Sequence, residues 1–450
     1  MSALSRSLSP LGGIFVALLL IMPLAGPVAA ADHPSSGPRD LTRVGTRIFF
    51  TAETASHDRE LWVTDGTAAG THEVKDINPT GSSWPMDLTP MGGKLYFFAD
   101  DGTGYQLWKS DGTIKGTKPL GGGNGGYSLT NVQGTLFFIS ESTVWKSNGT
   151  VAGTKPVAGV EGSDPWIGAV AFKGRYYFFA SLDYETSSLW RSNGTPAGTS
   201  EVASVDVDYE SGATPSDLMR SGDRMYFRMV YPYTGIAPAE LWQSDGTALG
   251  TRLVRHFSPD PEELDSVAWG MANMEGTLFF SVKGELWKTD GTELGTRRVK
   301  SIDPGWDPAM APVGSRLFLF ADDGTGTSLW RSRGTPKTTI EVYPIAVPGC
   351  RPFSDDPYCS LDQQPVAVAE TLFFPAAQGG NGTELWASDG TFAGTHMVKD
   401  IAAGSSRPSD LASDGRRLFF SAKDGMHGRE LWVSNGTVGG TFMVMDINPG

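Results

Sequence analysis

The chain has 450 residues, with 36 Lys and Arg against 50 Asp and Glu, a formal net charge of −14, and two cysteines. That acidity repels phosphate backbones and anionic membrane surfaces, which excludes nucleic acid as an expected partner. The six histidines are scattered without zinc spacing, and two cysteines alone make no metal framework.

Residues 1–30 carry one charge, Arg6, then an apolar run from Gly12 to Leu24, and lead into Pro27-Val28-Ala29-Ala30-Ala31. This is the pattern of a secretory signal peptide cut after Ala30 or Ala31, with an apolar core short for a membrane span. Its removal leaves 35 positive against 50 negative residues, or −15. The expected mature protein is secreted, periplasmic or on the cell surface, with no membrane span. Residues 31–39 read as a linker, and 40–450 as one repeat domain.

Within that domain ELWVTDGTAAGT stands at Glu60, and the same stretch returns at Gln106, Thr143, Ser188, Glu240, Glu285, Ser328, Glu384 and Glu430. The motif tryptophan moves from Trp62 to Trp432 in eight steps, (432 − 62)/8, a period of about 46 residues that marks a repeat architecture. One unit, residues 86–120, reads MDLTPM, a Gly92-Gly93 turn, KLYFFAD, a loop at Asp101-Gly102, QLWKS, an Asp111-Gly112-Thr113 turn and GTKPL. Strand-length pieces between turn signals predict a four-stranded antiparallel meander.

The faces set the assembly. Leu95, Tyr96, Phe97 and Phe98 are consecutive, and neighbouring strand residues point to opposite faces, so both faces of each sheet must be covered. A Leu, a Trp and two Phe per unit supply about 8 to 10 kcal/mol, most of it offset by chain entropy. Both a ring and an open stack of meander sheets satisfy this. The strand count and period favour an all-β propeller of about nine four-stranded blades, above the usual four to eight. The first unit starts at Asp40-Leu41 and the last ends at Asp446-Ile447, so no strand is donated across the ring and closure is expected to rest on side-chain packing.

Between Trp330 and Trp386 the spacing stretches to 56 residues through an insertion at 348–364 that holds Cys350 and Cys359. In an oxidising compartment these two are expected to form a local disulfide.

The nine copies of this motif resemble the bacterial ELWxxDGT repeat proteins, exported proteins without an established activity. The resemblance covers 40–447 and implies export and a repeat fold. The chain departs from the pattern at Val144 for Leu, Arg333 for Asp and Thr338 for Gly.

Within the motif, Asp65 is placed to accept backbone N–H bonds, Gly66 to take positive φ, and Thr67 to bond across the hairpin. Asn148, Asn193 and Asn435 replace the aspartate, which argues for a turn rather than a metal ligand. No nucleophile elbow, zinc motif or phosphate loop is present. Outside the motif, Trp84, Trp166, Trp269 and Trp306, with Tyr127, each precede the first turn by 7 to 9 residues. In a propeller they would share one face with the carboxylates of the second loops, Asp100, Asp101, Asp322 and Asp323. Aromatics beside carboxylates suit sugar rings, cationic groups or calcium. The expected function is a non-enzymatic binding or surface scaffold for glycans or other cell-surface ligands, with no catalytic residues and no obligatory cofactor. The alternative is a propeller hydrolase or lyase acting on extracellular polysaccharide.

Overall fold

The computed structural model describes residues 34–449, apart from His57, 161–167, 182–185, 207–213, 231–238, 258–269, Lys283, 304–308 and 346–363. The signal-peptide reading, and the disulfide between Cys350 and Cys359, lie outside the described residues.

The described residues form nine four-stranded antiparallel sheets, each with its strands in chain order. Blade 1 consists of Arg39–Val44, Arg47–Ala52, Glu60–Thr64 and His72–Lys75, and blade 2 of Met86–Met91, Lys94–Asp100, Tyr105–Ser110 and Lys118–Gly121. The other blades span 127–159, 169–206, 214–257, 271–301, 310–344, 366–399 and 409–445. The first strands abut one another in turn and the last meets the first, so they line the axis of a closed nine-bladed β-propeller. The only helical turns among the described residues are two short 3-10 segments, Pro196–Gly198 and Pro336–Thr338.

Doubly apolar strands do what their pattern requires. Phe49 joins Leu95, Phe97 and Trp108 in the core shared with blade 2. Its neighbour Phe50 joins Phe419, Leu431 and Val433 in the core shared with blade 9. Trp62, Trp108, Trp330, Trp386 and Trp432 are buried, while the other four motif tryptophans are half-buried. A fourth-strand cation from the preceding blade caps several of them: Lys75 lies 5.2 Å from the Trp108 ring and Lys300 4.7 Å from that of Trp330.

In eight of the nine blades the Asp-Gly-Thr or Asn-Gly-Thr turn is a self-contained knot. Asp111 Oδ1 accepts from the Thr113 amide at 3.0 Å and hydroxyl at 2.7 Å, and the Thr113 hydroxyl accepts from the Gly116 amide at 3.0 Å. The threonine thus bonds within the turn rather than across the hairpin. The knot also explains the second glycine, because a Cβ on Gly116 would lie 1.8 Å from Asp111 Oδ1. Asn148 makes the same bonds to Thr150 at 3.1 and 2.7 Å, so the acceptor oxygen, not the charge, is what the turn uses.

Ring closure goes beyond side-chain packing. Pro34–Pro38, read in the sequence as linker, is part of the ring. Buried Ser36 donates its amide and hydroxyl to Glu430 of blade 9, while its carbonyl accepts from Glu53 of blade 1. The Asn448 amide reaches the Ser35 carbonyl at 3.3 Å, and Arg417 reaches the Asp65 carbonyl at 2.8 Å.

Candidate active site

One short sequence builds the axial mouth three times. Ser35-Ser36-Gly37-Pro38-Arg39-Asp40, Ser82-Ser83-Trp84-Pro85-Met86-Asp87 and Ser405-Ser406-Arg407-Pro408-Ser409-Asp410 lead into blades 1, 2 and 9. In each, the second serine hydroxyl donates to the buried glutamate of a preceding Glu-Leu-Trp motif at 2.6 Å: Ser83 to Glu60, Ser406 to Glu384 and Ser36 to Glu430. That clamp fixes where the next strand begins. The proline then pins φ, and the aspartate takes the left-handed conformation, with φ of 58° at Asp40 and 54° at both Asp87 and Asp410. The strand bulges at that point in all three blades. Non-glycine residues held in this region are strained, and such strain collects at working sites.

The same position, eight residues ahead of the apolar run in the second strand, is Asp40, Asp87, Ser128, Gly168, Asp217, Gly270, Ala309, Gln364 and Asp410 around the ring. Gln364, Asp410, Asp40, Asp87 and Ser128 come from five adjacent blades and form a polar arc. The facing arc is mostly Gly or Ala, broken by Asp217. A cavity of about 390 Å³ opens on the polar arc, lined by Asp40, Thr42, Asp87, Gln364 and Asp410 with Leu41, Leu88 and Leu411.

Hydrogen bonds tie the arc together. The Asp40 amide donates to Asp410 Oδ1 at 3.3 Å, and the Leu129 amide donates to Asp87 Oδ2 at 3.3 Å. The Thr51 hydroxyl donates to Asp40 Oδ2 at 3.3 Å, and Ser409 to Asp410 Oδ2 at 2.9 Å. Asp87 is exposed to solvent at the mouth, while protein crowds around its carboxyl. Burial therefore pushes its carboxyl above the ordinary value, against the opposing hydrogen bonds from Leu129 and Ser128, and the Asp40 charge adds to the rise. Asp87 holds a proton more readily than an ordinary aspartate, and it does so beside two further carboxyl groups.

The aromatic residues singled out in the sequence divide. Trp84 is 52% exposed, sits three residues before Asp87 and lies 6.0 Å from the Arg59 guanidinium. Tyr127 is half-buried against the core between blades 3 and 4, where it packs rather than presents a platform. Trp166, Trp269 and Trp306 lie outside the described residues. The Asp100 amide bonds the Ser83 carbonyl at 2.9 Å, and Asp322 pairs with Asp303. The four carboxylates, however, serve their own loops. Asp100 accepts from Gly102 and Gly104, Asp101 from Thr103 and Gln106, Asp322 from Gly324 and Gly326, and Asp323 from Thr325. No metal-binding group of His, Cys, Asp or Glu forms among the described residues.

Asp40, Asp87 and Asp410 are absent from that sequence-level set. In the sequence, Asp40-Leu41 marks only the start of a unit. The available signal is the threefold Ser-Ser-x-Pro-x-Asp-Leu that the Glu-Leu-Trp period overshadows.

No family model and no curated protein matches the chain. Solved structures do match. Puromycin hydrolase aligns at 13% identity over 87% of this chain and 59% of its own, with a TM-score of 0.44. A eukaryotic initiation factor aligns at 9% over 88% and 94%, with a TM-score of 0.54. Oligogalacturonate lyase in complex with manganese aligns at 11% over 90% and 100%, with a TM-score of 0.42. The chain spans about three-fifths of the puromycin hydrolase it matches. At these identities the likeness to the initiation factor bears on the fold alone, and none of the three carries an activity across.

The expectation of a non-enzymatic scaffold is corrected because its premise, nine equivalent units, fails at the axis, where one arc carries the carboxylates and the facing one mostly Gly or Ala.

Proposed function

We propose that this chain is a propeller hydrolase or lyase that acts on a polysaccharide at the axial mouth. The observation that carries it is Asp87, a carboxyl raised by burial beside Asp40 and Asp410 in a 390 Å³ cavity. Carboxyl groups whose environments differ divide acid and base roles between them. Asp87 keeps its proton to higher pH and is the donor to a leaving oxygen. Asp410, or Asp40 beside it, is the carboxylate that takes a proton from water in hydrolysis or from the sugar carbon in elimination. Trp84, exposed next to this mouth, is the surface on which a sugar ring stacks. The apolar leader and the resemblance to exported repeat proteins support an extracellular workplace, where the Cys350–Cys359 pair would be oxidised.

Incubating the protein with a panel of neutral and uronate-bearing polysaccharides tests the reading. New reducing ends without ultraviolet absorbance indicate hydrolysis. Unsaturated uronate products indicate elimination. No product from any member of the panel overturns the proposal.

A further inference from the structure

Eight of the nine Asp-Gly-Thr turns begin with Asp or Asn, and the ninth, in blade 7, begins with Arg333. That turn closes by another route. The Thr338 hydroxyl, standing where the other blades have glycine, accepts from the Thr335 amide at 3.2 Å and so replaces the missing acceptor. With no Asp oxygen to hit, a side chain at 338 fits, and Arg333 is left exposed and outside the turn's own hydrogen bonds.

Arg333 borders a cavity of about 290 Å³ lined also by Arg316, Arg331, Lys337, Thr338 and Ile340. Arg316 is committed, donating to the Asp389 carbonyl at 2.6 Å and to Glu370 at 2.9 Å. Arg331 is not. In blade 4 the same strand position, Arg191, donates to the Gly246 carbonyl of the next blade at 3.2 Å, whereas among the described residues the Arg331 side chain makes no such bond to blade 8. Among the described residues, the side chains of Arg331, Arg333 and Lys337 make neither an ion pair nor a hydrogen bond. Three uncommitted cations therefore border one cavity on a chain whose net charge is −14. Like charges so placed repel each other, and the turn does not need them, since Thr338 has taken over its closure.

We propose that this cavity binds a doubly charged tetrahedral oxyanion, a sulfate or phosphate ester carried by a larger ligand. Guanidinium forks present paired donors to such a group, and the exposed side chain of Ile340 offers an apolar ledge for whatever bears it. The cavity lies among the first and third turns, at the end of the propeller opposite the axial mouth. It is a second site, and its fate is independent of the activity proposed there.

The test titrates the full chain at low ionic strength with inorganic sulfate and inorganic phosphate, followed by calorimetry. The decisive variant is Arg333→Asp with Thr338→Gly, which rebuilds the turn of the other blades and so preserves folding. Saturable one-site binding in the wild type, weakened at least tenfold in this double variant with an unchanged melting temperature, is expected. Arg331→Gln should weaken binding to a similar degree, and it decides alone if the double variant unfolds. Glucose 6-sulfate against glucose 6-phosphate then distinguishes the two esters. Absence of saturable binding by either anion, or undiminished binding by the variants, overturns the proposal.

Discussion

Ser36 and Glu430 stand 394 positions apart in the chain, and the Ser36 hydroxyl donates to Glu430 Oε2 at 2.6 Å. The same pair of residue types joins Glu60 to Ser83 and Glu384 to Ser406. The Ile447 amide donates to Glu430 at 3.0 Å as Ile77 does to Glu60 and Ile401 to Glu384. The ring is thus closed by one more copy of its own inter-blade clamp, assembled from two distant segments.

That clamp should be pH-dependent. Desolvation raises Glu60 and Glu430 from 4.5 to about 7 and raises Glu384 as well, overriding the hydrogen bonds from serine and backbone. A carboxyl with a higher pKa in the folded state takes up a proton on folding. Its stabilising effect is complete below the unfolded value of 4.5 and is lost as pH rises through 7. The largest effect expected is about 3 kcal/mol for each of Glu60 and Glu430. His427, raised chiefly by its bond to Asp424, acts in the same direction. The turn aspartates, lowered by their threonines, lose stability only in stronger acid. Urea unfolding should show maximal stability near about pH 5 and a decline toward pH 8. Glu430→Gln should flatten part of that decline while costing about 1 to 3 kcal/mol, because an amide cannot accept from both the Ser36 and the Ile447 N–H. A flat profile in the wild type would show these carboxyls to be ordinary.

The Asp-Gly-Thr turn predicts a coupled pair. Asp111→Asn should be nearly neutral, whereas Asp111→Ala should cost about 1 kcal/mol for the lost acceptor. Gly116→Ala should destabilise alone, since its Cβ would lie 1.8 Å from Asp111 Oδ1, and cost much less beside Asp111→Ala. A double-mutant cycle by thermal unfolding measures this, and additive effects would refute the knot.

Much of this was legible in the sequence. The strands Met86–Met91 and Lys94–Asp100 coincide with MDLTPM and KLYFFAD, because glycine turns bound them and paired phenylalanines require two covered faces. The axial site was not. The period draws the eye to tryptophans that pack between blades, whereas the strained aspartate at the bulge recurs in only four of the nine blades. Asp40 and Asp410, hydrogen-bonded neighbours in the arc, also stand 370 positions apart in the chain.

Strain at the mouth gives a further expectation. Asp87 occupies φ of 54°, where blades 4 and 6 have Gly168 and Gly270 at the equivalent position. Asp87→Gly relieves about 1 kcal/mol of left-handed strain, which offsets the hydrogen bond it loses. Its melting temperature should therefore stay within a few degrees of the wild type. Unfolding at a much lower temperature would make Asp87 a structural residue.

Trp84 should behave as a platform rather than as core. Trp84→Ala is expected to leave the melting temperature almost unchanged, raise KM for polysaccharide several-fold and spare kcat, because one stacked ring contributes about a kcal/mol of binding. A fall in kcat at constant KM would place Trp84 in the chemical step instead.

The most direct test of the axial site is the rate of polysaccharide cleavage by Asp87→Asn beside the wild type, measured across pH. Loss of a general acid should lower kcat by about 100- to 10,000-fold and remove the alkaline limb of the pH profile, with folding intact by circular dichroism. An Asp87→Asn protein that cleaves at the wild-type rate with the wild-type profile would contradict the account.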